Sequence, residues 1–338
     1  MADTGIVERF AEPWTQRFKL HPFGSLRMQT DPDYLIKGLL PQIGLAVTYG
    51  PPGCGKSFWA ADAALHVASG REYQGRRVRG GPVVYIAGEG QTGFVKRLEA
   101  FRREKMEPGE TPPFYLLPEP LDLIGEHQTL IADIERQLGA PALVVLDTLN
   151  RTLRGSENDP EDMGNYIAAS DKIRDAFGCC VHVIHHCGVE GSRPRGHTAL
   201  TGAADAQFAV STAGSVRTVQ AEKVKDGPAD LSLSFELRSV DLGTDSDGDP
   251  VTSCVVEPTD SEPDVTGVTA SVTGNARTML TVLQEAGWQG LTTAEWAEQA
   301  REAGIKAPRQ RLYEYRVQLK NKRLVHQDQQ GRWHITNQ

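Results

Sequence analysis

The sequence predicts an α/β fold, a mainly parallel sheet extended by antiparallel strands, with a small second unit at the C-terminus. Three observations lead there. A glycine-rich loop, Gly50-Pro51-Pro52-Gly53-Cys54-Gly55-Lys56-Ser57, stands between the apolar strand Leu45–Tyr49 and a small-residue helix opening at Phe58. Strand and helix patterns then alternate as far as residue 186. From residue 206 onward strands follow one another without intervening helices, as in an antiparallel meander.

Taken in order, residues 1–33 scatter Phe10, Trp14, Phe18 and Phe23 among polar residues and prolines, and read as an extended arm. Residues 34–44 lead into the first core strand. Val83–Ala87 is an unbroken apolar run, the pattern of a strand buried on both faces. A helix is expected over about 91–105, a short strand at 114–117, and a helix over 126–138, where Leu130, Ile131, Ile134 and Leu138 recur at helical spacing. Leu143–Asp147 is the next buried strand. A polar loop (150–162), a helix (163–177) and the strand 181–186 follow, then a Gly/Arg-rich loop (187–200). The meander runs through 206–211, 216–224, 231–240 and 251–257. Residues 258–275, rich in Pro, Asp, Thr, Ser and Gly, read as a linker. The unit 276–338 is expected to hold helices at 276–286 and 308–322, a capped helix start at Thr292–Glu295 and a hairpin over 324–335. That is a winged helix-turn-helix arrangement.

The 338-residue length suggests two domains, and 39% hydrophobic with 24% charged residues is ordinary for a soluble protein. No apolar run is long enough for a membrane span, and Met1–Gly5 lacks the basic head of a signal peptide. Five cysteines, an odd number that includes the neighbours Cys179 and Cys180, argue against a disulfide framework and for the cytoplasm. The net charge of -8 excludes a protein that coats nucleic acid with its whole surface. DNA contact would have to come from local basic patches or from the channel of an oligomer.

The loop has the pattern G-x-x-x-x-G-K-S in its confirming strand–loop–helix context. Its backbone N–H groups and the helix N-terminus favour a phosphate. Gly50, Pro51, Pro52, Gly53, Cys54, Gly55, Lys56, Ser57 and Phe58 are therefore the candidate nucleotide-binding residues. Lys56 is expected at the β- and γ-phosphates of ATP, and Ser57 on Mg²⁺ together with Asp147, which ends an apolar strand. Thr148, not Glu, follows Asp147, so a water-activating base must come from elsewhere. Glu89 is the candidate, at the carboxyl end of a buried strand where ligands bind in open α/β sheets; a loop-capping role is the alternative. His185 and His186 close the next strand, and period-two alternation lets one of them meet the γ-phosphate. The same alternation argues against a metal site built from Cys179, Cys180, His182, His185, His186 and Cys187. Lys223 and Lys225 share a strand face; they could pair with carboxylates in the same subunit or reach a neighbour's triphosphate, the reading we favour. Arg195 is a second finger candidate or a DNA contact.

Together these residues resemble the RecA-like hexameric helicase family, specifically its plasmid- and phage-type RepA branch. The resemblance runs from Tyr49–Gly53 and Gly55–Ser57 through Ala87-Gly88-Glu89-Gly90, Asp147-Thr148-Leu149, Asp162-Met163, His185-His186, Arg195-Gly196-His197 and Lys223-Val224-Lys225, over residues 34–257. It implies a homo-hexameric ring ATPase with nucleotide at subunit interfaces, Glu89 catalytic, the His-His pair sensing the γ-phosphate, and the two lysines acting in trans. Loops 150–162 and 187–200 would be similar to DNA-facing loops. The first carries Arg151 and Arg154 but also Glu157 and Asp159; the second, with Arg193 and Arg195, is the stronger candidate.

The C-terminal unit goes beyond a minimal ring helicase. Lys306, Arg309, Arg311, Arg316, Lys320, Lys322 and Arg323 stand against Glu314 alone, with Tyr313 and Tyr315 interleaved. Such a helix suits phosphate contacts in a duplex groove, or else a protein-docking role. The expectation is a Mg²⁺-dependent ATPase acting on DNA, a replicative helicase of a plasmid, phage or mobile element, threading single strands through its channel. The alternative is an ATP-gated DNA-binding regulator that does not unwind.

Overall fold

In the computed structural model two short antiparallel strands, β1 (Tyr34–Ile36) and β2 (Leu40–Pro41), turn the chain into β3 (Gly44–Gly50), which is buried along its whole length. The structure describes residues 20–26, 33–88, 91–187, 198–225, 231–260, 274–321, 324–328 and 330–336. The chain divides into two units, residues 1–32 and 33–338. In the first unit the described residues form one 3-10 turn, Phe23–Ser25.

After β3 the elements are α1 (Lys56–Ser69), β4 (Val83–Ala87), α2 (Gln91–Lys105), β5 (Phe114–Leu117), α3 (Leu123–Leu138), β6 (Leu143–Asp147), α4 (Leu149–Thr152), α5 (Pro160–Phe177), β7 (Cys180–His186) and α6 (Ala199–Ala203). The long strands β8 (Ala206–Ala213), β9 (Val216–Val224), β10 (Ser232–Thr244) and β11 (Pro250–Pro258) follow. One nine-stranded sheet results, in the order β11-β10-β9-β8-β3-β7-β6-β4-β5. It is parallel from β8 to β5 and antiparallel from β8 to β11. The α/β reading and its antiparallel extension are what the chain adopts.

Strand alternation sends side chains to two separate cores. Trp59, Ala60 and Ala64 of α1 pack with Ala46, Tyr85, Val145, Ile184 and Phe208 on one face. On the other, Leu130 and Ile134 of α3 and Met163, Tyr166 and Ile173 of α5 pack with Leu45, Val47, Val144 and Val183. Charged side chains tie the helices of the first face to each other and to the meander. Lys105 at the end of α2 lies 3.1 Å from the buried carboxylate of Asp62 on α1 and also donates to the carbonyl of Val256 on β11. Burial pushes the Asp62 carboxyl up, and the Lys105 ammonium opposes that shift.

Residues 274–336 hold α7 (Gly274–Glu285), β12 (Leu291–Thr292), α8 (Thr293–Glu302), α9 (Arg309–Asn321), β13 (Val325–Gln327) and β14 (Arg332–Ile335). The three strands form an antiparallel sheet in the order β12-β14-β13. Met279, Leu283, Trp296, Leu312, Leu319 and Trp333 make its core, and the Trp296 indole donates to the Met279 carbonyl at 2.8 Å. Thr292 and Glu295 form a reciprocal capping box at the start of α8, which satisfies two otherwise unpaired N–H groups.

Several boundaries differ from the sequence reading; β10, for one, runs on to Thr244. The segment read as a loop over 150–162 contains α4 and the first turn of α5. Asp159 caps α5 by accepting from the N–H groups of Glu161 and Asp162, and Pro160 occupies the first turn, where its missing N–H costs nothing. Helix α3 begins at Leu123 rather than 126, because Leu123 is itself buried and draws the first turn onto the sheet.

His182 on β7 is fully buried against Trp59, with Nε2 2.7 Å from Thr48 Oγ1. Burial pushes its pKa down to about 3, from 6.5 for an unburied imidazole. The unfolded chain therefore binds the extra proton first. Stability is fully present above pH 6.5 and is lost progressively as pH falls towards about 3. Chemical denaturation across that window should show a shallower acid arm for His182→Gln than for the wild type.

Candidate nucleotide site

The loop is built by backbone that tolerates no side chain at its base. A Cβ at Gly50 would stand 2.2 Å from the carbonyl oxygen of Val210 on β8 and 2.9 Å from Cys54 Sγ. Gly55, at φ +94°, is the left-handed N-cap of α1, and Arg217 of β9 and Phe235 of β10 press against it. The turn thus delivers Lys56 and Ser57 as the first residues of α1. Lys56 is 5% exposed, and its ammonium donates to the carbonyl of Pro51 at 2.8 Å, across the mouth of the loop. Cys54 is fully buried; burial raises its thiol pKa, opposed by Lys56.

Strand order brings the second half of the site into place. β7 lies between β3 and β6, and its Ile184 pairs with Thr48 on one side and Asp147 on the other. Asp147 therefore ends level with the strand that enters the loop. Ser57 Oγ donates to Asp147 Oδ1 at 3.0 Å, and the Tyr85 hydroxyl donates to Asp147 Oδ2 at 2.6 Å. Burial, reinforced by the neighbouring Asp147 charge, holds the Tyr85 phenol well above its ordinary pKa, so it stays a donor. The peptide bond from Asp147 to Thr148 is cis. A hydroxyl and a carboxylate at the loop's mouth are hard oxygen donors, the set that Mg²⁺ takes.

Glu89 lies outside the described residues. Its neighbour Gly88 donates its N–H to the Asp147 carbonyl at 2.7 Å, and Ala87 pairs with Asp147 across β4 and β6. The two histidines part as alternation requires. Ile184 and Cys180 belong to the α1-side core, Val181 and Val183 to the other. His186 thus shares the face of α1 and Asp147. His185, fully buried, faces the far side with Nε2 4.0 Å from Glu157 Oε2. No group of three metal-ligating side chains forms among the described residues.

Lys223 Nζ lies 3.3 Å from the Gly202 carbonyl, and Lys225 Nζ 3.3 Å from Asp205 Oδ1. Val224 pairs with Ala206, which pairs with Ala46. Both lysines therefore stand at the amino-terminal edge of the parallel strands, opposite the edge that bears the chain's own loop. Arg193 and Arg195 fall outside the described residues. On α9, Arg309, Arg311 and Lys320 are exposed, and Arg311 pairs with Glu314 at 2.7 Å. Arg316 does not join them. It is 6% exposed, on the buried side of α9 with Leu312 and Leu319, and burial lowers its pKa. A seven-residue spacing around Leu312 and Leu319 leaves position 316 on the inner stripe.

Three side chains at the site escaped sequence reasoning: Tyr85, Arg217 and Phe235. Tyr85 carried a signal, a polar-tipped residue two places before the end of an otherwise aliphatic strand. Arg217 and Phe235 carried none, since only the folded meander brings β9 and β10 beside the loop.

Residues 16–192 match the family described as AAA domain. The chain belongs to that family. Among solved structures, the crystal structure of the RadB recombinase aligns with a TM-score of 0.44 and 19% identity, over 59% of this chain and 90% of that chain. No curated protein matches the chain. No described helix is long and apolar enough to cross a membrane.

Removing the Tyr85 hydroxyl tests the support of Asp147. Tyr85→Phe removes one hydrogen-bond donor from the buried carboxylate, at an expected cost of about 1–3 kcal/mol. Urea denaturation should register the loss, and Mg²⁺-dependent binding of a fluorescent ATP analogue should weaken.

Proposed function

We propose that the chain is a Mg²⁺-dependent ATPase of the RepA-like ring type that moves on or remodels DNA, as a replicative helicase of a plasmid, phage or other mobile element does. The observation that carries this reading is the Ser57–Asp147 pair at the mouth of a complete phosphate loop. We read residues 1–33 as an arm, 34–257 as the ATPase domain, 258–275 as a linker and 276–338 as a winged-helix unit. Five thiols suit a reducing cytoplasm.

In this reading the loop N–H groups hold the β-phosphate, and Lys56 moves from the Pro51 carbonyl to the β- and γ-phosphates. Ser57 and Asp147 would hold Mg²⁺, which would supply positive charge to the phosphates, and Tyr85 keeps the carboxylate turned towards the loop. Glu89 orients the attacking water. His186, on the phosphate side of β7, meets the γ-phosphate; His185 faces Glu157 and so couples the same strand to the 153–159 turn. Lys223 and Lys225 stand away from their own loop, so any triphosphate they touch belongs to a neighbouring subunit. That favours a ring, with the hexamer as its expected size. Single-stranded DNA would pass along the 187–200 loop with Arg193 and Arg195. Arg309, Arg311 and Lys320 of the helix–strand–helix–helix–strand–strand unit would meet duplex phosphates.

ATP-driven strand displacement tests the reading. The wild type should unwind a forked duplex. Glu89→Gln should retain ATP binding and lose hydrolysis by a factor of about 100 or more. Site-specific duplex binding without unwinding would instead support an ATP-gated regulator. The trans role has its own check: Lys225→Ala and Lys56→Ala, each inactive alone, should regain part of their ATPase rate when mixed. Absence of rescue at every ratio would place Lys225 in a structural role beside Asp205.

A further inference from the structure

A buried charge is tolerated when a partner is buried with it. Lys56, Asp62, Asp147 and Glu157 follow that rule: they meet the Pro51 carbonyl, Lys105, the Ser57 and Tyr85 hydroxyls, and His185. Arg316 on α9 departs from it. It is 6% exposed, and its guanidinium makes no hydrogen bond or ion pair among the described residues. The surroundings add cations rather than acids. Arg309, Tyr313, Arg316 and Lys320 are spaced four, three and four residues apart, which lines them up along one side of the helix. A helical side chain leans towards the N-terminus, so Arg316 reaches back over Tyr313 towards Arg309. Arg309 is exposed, and Tyr313 is 55% exposed. Burial, and after it the neighbouring Arg309 charge, lowers the Arg316 pKa. The sole acid of α9, Glu314, lies on another side of the helix and is held by Arg311 at 2.7 Å. The first turn carries no acid, and its N–H groups add positive potential there.

We propose that Arg316 and Arg309, together with the Tyr313 hydroxyl, hold one phosphate group. A guanidinium presents a planar fork of N–H donors that fits two oxygens of a phosphate at once. Two such forks on one stripe, with no carboxylate between them, supply the donors and the charge for a tetrahedral anion. Occupancy turns an uncompensated buried charge into a paired one. Arg316 is recessed and Arg309 is not, so the phosphate enters from the exposed side and meets Arg316 at its inner end. A free phosphate and a phosphate of a nucleic-acid backbone share this chemistry. The site lies outside the nucleotide loop, and the inference holds whether or not the chain hydrolyses ATP. It also goes beyond the duplex contacts proposed for Arg309, Arg311 and Lys320, because it gives the buried arginine a ligand of its own. The competing account is an arginine whose stem packs in the core while its tip meets only water.

Two variants of the full chain test the site. Arg316→Met keeps a packing stem and removes the charge. Arg309→Ala removes the second cation from an exposed position, and it carries the test alone should the first variant fail to fold. Thermal unfolding in sodium phosphate is compared with sodium chloride at the same pH and ionic strength. The wild type should melt higher in phosphate, because a ligand of the folded state raises the midpoint. Each variant should lose part of that rise. The nucleotide loop is the same in all three proteins, so the difference between them reads the α9 site. Fluorescence anisotropy with a short duplex reads the other source: either variant should lower the slope of log affinity against log salt by about 0.9, the loss of one phosphate contact. A reduced rise with an unchanged slope assigns the site to a free phosphate, and a lowered slope assigns it to a nucleic-acid backbone. A wild type that binds no duplex would count against the DNA contacts proposed above and leave the phosphate comparison to decide. Equal rises in all three proteins, with no change of slope, would overturn the proposal in favour of an arginine tip that meets only water.

Discussion

The carboxylate of Asp147 holds the two halves of the site together. One oxygen takes the hydroxyl of Ser57 from the first turn of α1, the other the phenol of Tyr85 from β4. Three elements distant in sequence thus converge on one charged group that is 5% exposed. Burying a carboxylate is costly unless its lone pairs are satisfied. Two donors offset that cost and also decide where the charge points. The arrangement depends on β7 lying between β3 and β6, because that spacing sets the end of β6 beside the start of α1 and not against the loop itself.

Much of this was legible in the chain. The loop, its lysine and serine, and an acid at the end of an apolar strand are local patterns whose chemistry needs few neighbours to interpret. The crowding at Gly50 was not legible. The sequence offers a glycine, but the reason for it is a carbonyl on β8, about 160 residues later in the chain. Arg217 and Phe235 were hidden for the same reason: a meander strand says nothing locally about which loop it will cover. The start of α5 was different, because Asp159-Pro160 is a readable cap and first turn; the surrounding Ser, Glu and Asn outweighed it in a composition-based reading. Arg316 shows the limit of counting charges. Seven basic residues in one stretch suggested a basic face, yet helical spacing puts one of them with Leu312 and Leu319.

The register of β7 separates two histidines that a motif treats as one. Successive side chains leave a strand on opposite faces, so His185 and His186 cannot do the same job. His186 belongs to the layer of α1 and Asp147. His185 sits under the 153–159 turn beside Glu157. One strand end thus places one histidine in the layer of the nucleotide loop and the other beside Glu157.

The two edges of the parallel sheet carry opposite parts of the chemistry. The loop, Asp147 and Gly88 gather at the carboxyl ends of the strands, while Lys223 and Lys225 gather at the amino ends, held by the Gly202 carbonyl and by Asp205. A lysine held by one carboxylate at a solvated edge gains little from it, since exposed pairs are worth about 0–1 kcal/mol. Such a pair positions the cation more than it stabilises the fold.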